Sequence, residues 1–291
     1  MSKIALGTVQ FGMDYGIASD SGKVDFKEVQ KILGYANHQG VNLLDTAPAY
    51  GGSESMLGKA NVQDFAIVTK TRHFHNLVIS DHEIDLMKED FKLSLSNLKR
   101  NKVYGVLIHN ADDLLKTGAD RLVEQLNNLK QAGKIEKIGV SVYSDEQLRF
   151  ILDNFDIDLV QLPFNILDRR LIDSGIISKL KKQNIEIHAR SVFLQGLLLM
   201  DQQSRPSKFR QWDSLWRMWH DWLNDYDMTA LEAAIRHAIL TPEISKVLVG
   251  VDTQEQLKDI VNATKGTLPK VPKELSTNDI NLLNPSNWSK L

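Results

Sequence analysis

Asp45, Tyr50, Lys70 and His109 each stand at or just after the end of a short apolar run. Their types make a proton-transfer set. A tyrosine phenol has an ordinary pKa of about 10, too high to share a proton readily near neutral pH. A neighbouring ammonium favours the phenolate and draws that value down. Lys70 would supply the ammonium, and Asp45 would keep it protonated and aimed. His109 would donate a hydrogen bond to a carbonyl oxygen or join the proton relay. Tyr50 would then protonate a substrate oxygen as hydride reaches the adjacent carbon, with a reduced nicotinamide as the hydride source. Each residue also has a simpler reading: a structural ion pair, a satisfied polar group, packing at a rim. Their coincidence on three consecutive strands carries the chemical reading.

Such a set needs elements that bring it together. Apolar runs recur at Ile4–Leu6, Val41–Asp45, Phe65–Lys70, Val103–His109, Ile135–Val142, Leu159–Leu162, Ile185–Ala189 and Val247–Val249. Helical patterns lie between them, near Asp25–Gln39, His82–Lys99, Asp120–Ala132, Ser144–Asn154, Ser174–Gln183 and Thr229–Leu240. Gly40 and Gly133 are placed as helix stops, and Ser144 as an N-cap. Eight strands alternating with helices predict an α/β fold, a closed (β/α)8 TIM barrel, whose chemistry sits at the C-terminal strand ends. An open dinucleotide-binding sheet would want G-x-G-x-x-G after its first strand, and Gly7-Thr8-Val9-Gln10-Phe11-Gly12 is not that motif. Residues 1–291 read as a single domain, with 266–291 as a terminal arm crossing the barrel surface.

Composition narrows the function. The chain has 291 residues, 42% hydrophobic and 25% charged, with a net charge of -2. Those values suit a globular enzyme and give no basic surface for nucleic acid or an anionic membrane. Cysteine is absent, which removes disulfides, thiolate metal sites and a cysteine nucleophile together. The start, Met1-Ser2-Lys3-Ile4-Ala5-Leu6, has no basic region leading into an apolar run, so a cytoplasmic location is expected.

The segment Asp45-Thr46-Ala47-Pro48-Ala49-Tyr50-Gly51-Gly52-Ser53-Glu54 resembles the D-T-A-x-x-Y-G-x-x-E signature of the aldo-keto reductase family. Lys70 and His109 match the other two members of that family's catalytic tetrad. The resemblance runs from Gly7-Thr8 to about Asn262. It implies NAD(P)H-dependent reduction of a small aldehyde or ketone, with Tyr50 as general acid. It also implies cofactor contacts at Gly7, Thr8, Asp45, Ser141, Gln161, Arg190, Ser191, Phe193, Gln195, Gly196, Gly250, Thr253 and Gln256. Four positions depart from the family pattern. Val142 replaces an asparagine. Arg190 replaces a tyrosine that stacks on the nicotinamide ring, a role open to a planar guanidinium. Gly250 and Gln256 fall where basic residues often recognise the 2'-phosphate of NADPH. NADPH is the cofactor the family implies, and NADH the second option. The floor hairpin usual in the family is expected to be missing or shortened.

Phe11, Tyr15 and Phe164, with Tyr50 and His109, are the expected substrate contacts. The stretch Val9–Gly16 resembles a bacterial branch associated with sugars, pointing to a polyhydroxylated carbonyl. Trp212, Trp216, Trp219 and Trp222 recur at helical spacing and predict an aromatic face packed on the barrel, with a pocket wall or dimer contact as the alternative. No metal is expected. A metal-dependent hydrolase would have to use His73-Phe74-His75 with His188. A nucleotide-binding sensor with little turnover is the remaining rival.

Overall fold

The structure, a computed structural model, describes residues 2–17 and 22–291; Met1 lies outside them. Eight parallel strands close in sequence order into a barrel. The strands are β1 (Ile4–Gly7), β2 (Leu43–Asp45), β3 (Ala66–Lys70), β4 (Val103–Ile108), β5 (Ile135–Ser141), β6 (Leu159–Pro163), β7 (Glu186–Arg190) and β8 (Lys246–Gly250). The ring closes where Gly7 pairs with Gly250 on one side and Asp45 on the other. The chain therefore has the (β/α)8 TIM-barrel fold. Parallel strands buried on both faces need nearly continuous apolar sequence. Ile187 and Ala189 accordingly pack outward on the helices, and Leu43, Val68, Leu107 and Leu159 fill the interior.

The helices are α1 (Phe26–His38), α2 (Ser53–Ala60), α3 (Asp81–Leu98), α4 (Ala119–Gln131), α5 (Asp145–Asn154), α6 (Arg170–Asp173), α7 (Ile176–Lys182), α8 (Asp213–Asp225), α9 (Ala230–Ile239), α10 (Gln254–Ala263) and α11 (Ile280–Leu283). Their ends follow local chemistry. Ser144 caps α5 by accepting from Gln147 N–H, and Thr229 with Glu232 forms a capping box on α9. Gly40 takes a φ of +68°, and the next amide, Val41 N–H, closes on Ala36 O. Val41 thus completes the end of α1, and β2 starts at Leu43 rather than at the expected Val41.

Only Ser2 and Lys3 precede β1 among the described residues, and they form no hairpin. Lys246 Nζ instead donates to Ser2 O and Asn42 Oδ1 at the barrel floor. Beside it, Glu186 accepts from Tyr104 Oη at 2.6 Å, from His188 Nε2 at 2.7 Å and from Lys137.

The tryptophan helix packs as predicted. Trp216 and Trp219 on α8 are fully buried and donate to Phe209 O and Leu198 O. The arm closes over this face: Trp212 Nε1 donates to Asp279 Oδ2 at 2.9 Å, and Trp288 meets Phe209 edge-on. The arm does more than cross the surface, because Pro285 and Ser286 reach the central cavity. Among the described residues, no helix is long and apolar enough to cross a membrane.

Candidate active site

A cavity of about 610 Å³ opens at the C-terminal ends of the strands. That is within the roughly 300–1,000 Å³ range of small-molecule and cofactor sites. Asp45, Tyr50, Lys70 and His109 all line it.

Local sequence explains how Tyr50 gets there. Gly12 and Gly51 let two backbone segments touch. A Cβ on Gly12 would stand 1.8 Å from Tyr50 O, and one on Gly51 2.7 Å from Gly12 O, with Gly51 at a φ of +56°. Only glycine permits both the contact and that backbone. Thr8 adds a tie: its hydroxyl donates to Asp45 O at 2.9 Å, and Ser53 Oγ donates to Thr8 O at 2.8 Å. Glu54, the last residue of the signature, is buried and accepts from Thr69 Oγ1 at 2.7 Å, anchoring α2 to β3.

Lys70 Nζ donates to Asp45 Oδ2 at 2.6 Å and to Thr46 O at 3.0 Å, and the pair is almost wholly buried. Gln161 Nε2 donates to Asp45 Oδ1 at 2.7 Å, so both carboxylate oxygens are engaged. Burial alone would lower the Lys70 pKa. Burial is the largest single effect, but the Asp45 charge, Tyr50 and the hydrogen bonds to both together outweigh it, so Lys70 is held above its ordinary value and stays protonated.

Lys70 Nζ lies 4.8 Å from the centre of the Tyr50 ring. This cation draws the phenol's pKa down as expected, but the net shift is upward. Burial is the larger effect and pushes Tyr50 up; Lys70 pulls it down second, and the Asp45 charge adds to the rise. Tyr50 is therefore a protonated phenol beside a cation that would stabilise its anion. It can give a proton to a nearby oxygen as charge develops there.

His109 meets Tyr50 edge-on at 6.0 Å and His73 at 4.3 Å. Burial, then the Lys70 charge, lowers its pKa to about 3, so the imidazole is neutral near pH 7. Its Nδ1 is buried without a partner.

Most of the expected contacts converge on the cavity. Gly7, Thr8, Tyr15, Ser141, Gln161, Ser191, Phe193, Gln195, Gly196, Gly250 and Gln256 line it with the tetrad, and so does Arg190. Arg190 stacks on Tyr143 at 4.1 Å and donates to Val142 O at 3.0 Å. Three expected residues do not reach the wall. Phe11 is fully buried in the core, Phe164 is buried and stacked on His237 at 5.1 Å, and Thr253 caps α10 by accepting from Gln256 N–H. The substrate contact expected of Phe11 and Phe164 is corrected accordingly: both are packing residues. His188 sits in the barrel interior on Glu186, far from sharing ligands with the exposed His73 and His75. Among the described residues no three His, Asp or Glu side chains converge as a metal set.

Sequence reasoning missed Gln10, Tyr143, Asp252 and Asp259 on the wall, and Pro285 and Ser286 from the arm. The first three had a signal, since each lies within three residues of a strand's C-terminal end. Asp259, deep in α10, had none.

A profile of the Aldo/keto reductase family matches residues 3–276, and the chain belongs to that family. It is 25% identical over 284 residues to the uncharacterized oxidoreductase YqkF of Bacillus subtilis, covering 90% of this chain and 91% of that one. It is 26% identical over 218 residues to the NADH-specific methylglyoxal reductase of Escherichia coli, covering 68% of this chain and 65% of that one. Among solved structures, the holo form of aldo-keto reductase AKR11C1 from Bacillus halodurans superposes with a TM-score of 0.72 at 21% identity. That match covers 94% of this chain and 90% of the other, and it shows the shared fold.

Proposed function

We propose that the cavity reduces an aldehyde or ketone to the alcohol using NAD(P)H, with Tyr50 as general acid. The observation that supports this most is the buried Lys70–Asp45 pair beside a protonated Tyr50, open to a cavity. A nicotinamide cofactor, when bound, supplies hydride to the carbonyl carbon. Tyr50 gives its proton to the carbonyl oxygen, and Lys70 stabilises the phenolate left behind. Asp45 keeps Lys70 charged and oriented, and Gln161 fixes Asp45. His109, neutral and on the cavity wall, offers one hydrogen bond to the same oxygen.

The residues present fit such a cofactor. Ser141 and Gln161 offer polar groups beside the tetrad, and Gln10 Oε1 is buried without a partner near β8. Toward β8 and α10 the wall carries Asp252, Gln256 and Asp259 and, among the described residues, no lysine or arginine. A Cβ on Gly250 would stand 2.4 Å from Gln10 Nε2, so a basic side chain there would displace Gln10. Lys258 pairs with Glu255 at 3.3 Å and stays off the wall. Carboxylates repel an added phosphate. This favours NADH, the second option from sequence, and fits the NADH-specific relative from Escherichia coli.

The substrate is a small carbonyl compound, with the sugar-like class suggested by the Val9–Gly16 resemblance. The test is fluorescence titration with NADH and NADPH, then a panel of aldehydes, ketones and sugars followed by loss of reduced-nicotinamide absorbance. Turnover that is higher with NADH supports the reading. Cofactor binding without turnover of any carbonyl would point to the nucleotide-binding sensor instead.

A further inference from the structure

We propose that Arg190 makes the cavity distinguish the two oxidation states of its nicotinamide cofactor, holding the reduced form more tightly than the oxidised form. This rests on the cofactor reading above and adds an electrostatic consequence specific to this chain.

Two cations line the reacting end of the cavity, Lys70 and Arg190. Lys70 is neutralised by Asp45 at 2.6 Å. Arg190 meets only neutral groups: Val142 O at 3.0 Å, Ser191 Oγ at 3.4 Å and the Tyr143 ring at 4.1 Å. Among the described residues, no carboxylate lies within ion-pair distance of its guanidinium. With His109 and Tyr50 both neutral, about one positive charge is left over at this end.

That charge reaches the space where the reaction must happen. It contributes, after burial, Lys70 and His73, to holding the His109 imidazole low, and it acts on Tyr15 across the mouth. A ring that hands hydride to a carbonyl carbon beside Tyr50 and His109 has to lie in the same space. The oxidised nicotinamide ring carries a formal positive charge, and the reduced ring carries none. Arg190 therefore opposes the oxidised form and leaves the reduced form unpenalised. The neutral residue of similar length at this position would remove the difference.

The guanidinium is also held in place. The chain turns sharply after β7, with positive φ at Ser191 (61°), Leu194 (49°) and Gln195 (53°), none of them glycine. Gln195 Nε2 donates to Tyr15 Oη at 3.1 Å, tying this turn to the loop after β1. Such costly backbone persists where surrounding contacts fix it, often at functional sites. Tyr143 and the Val142 carbonyl then fix the guanidinium plane, so its charge cannot swing away to solvent.

A different role would leave a different trace. A guanidinium gripping the cofactor's phosphates strengthens both oxidation states alike, because hydride transfer does not change the phosphate charge. The test is titration of NADH and NAD+, and of NADPH and NADP+, by tryptophan fluorescence or calorimetry. It is run on the unmodified protein, Arg190→Met and Arg190→Lys, with a melting curve for each variant. We expect the ratio of oxidised to reduced Kd to fall about tenfold in Arg190→Met, equivalent to about 1.4 kcal/mol, and to stay within about threefold of the unmodified value in Arg190→Lys. An unchanged ratio in Arg190→Met, or equal weakening of both forms, overturns the proposal. If neither form binds the unmodified protein, the cofactor reading falls, and this inference falls with it.

Discussion

The barrel holds two clusters built from the same kinds of residue, one at each end. At the C-terminal end Asp45, Lys70, Tyr50 and His109 meet; at the floor Glu186, Lys137, Tyr104 and His188 meet. The floor carboxylate takes hydrogen bonds from all three of its partners, and none of the four lines the main cavity. At the other end the lysine takes the carboxylate, while the tyrosine and histidine border the cavity. Residue type alone does not distinguish a reactive site from a structural one. Facing the cavity does: an unpartnered Nδ1 occurs at both ends, on His109 and on His188, but only His109 lines the cavity.

The comparison breaks most sharply at the two lysines. Lys70→Met should lower turnover by about 10²–10⁴-fold, and it leaves Asp45 buried and unpaired, at a cost of about 3–5 kcal/mol in stability. Lys137→Met at the floor should cost about 1–3 kcal/mol and leave turnover unchanged, since Lys137 is partly exposed and its loss still leaves Glu186 two donors. Steady-state kinetics and urea unfolding of both variants check this. Equal loss of turnover in the two would erase the distinction.

Acid should reach the two ends in different pH windows. His109 is lowered from 6.5 to about 3 in the folded protein. The unfolded chain therefore binds a proton that the folded one does not, and stability falls as pH drops from 6.5 toward about 3. His237, lowered to about 4, adds to the same slope, so the His109 share is read as the difference from His109→Gln. Glu186 is lowered from 4.5 to about 2 through its His188, Lys137 and Tyr104 partners, against the opposing effect of burial. Its contribution is present above pH 4.5 and lost as pH falls toward about 2. Melting temperatures across pH should show the upper window flatten in His109→Gln and the lower one in Glu186→Gln. A slope unchanged by His109→Gln would mean that imidazole is not held neutral by the fold.

The smallest effect is expected at Phe164. Phe164→Leu should cost about 1–2 kcal/mol in unfolding free energy and leave KM for any carbonyl substrate unchanged. A raised KM with unaltered stability would return Phe164 to the substrate wall.

The barrel and the tetrad were legible because both are encoded locally. Each strand is a short apolar run, and Asp45, Lys70 and His109 sit where those runs end. The protonation state of Tyr50 was not legible. Sequence shows the Lys70 charge but not the burial that outweighs it. Side chains already spent elsewhere were also hidden. Thr8 holds Asp45 O, Thr253 caps α10 and Phe11 fills the core. Pro285 and Ser286 reach the cavity only because the arm settles on the tryptophan face of α8, a contact between distant parts of the chain that no local pattern announces.

The central claim is that Tyr50 moves a proton while the rest of the cavity binds. Tyr50→Phe removes one hydroxyl and keeps the ring. Cofactor titration and carbonyl turnover measured on the same preparation should show Kd for NADH unchanged and kcat reduced by about 10²–10⁴-fold. Turnover equal to that of the unmodified protein would contradict the account.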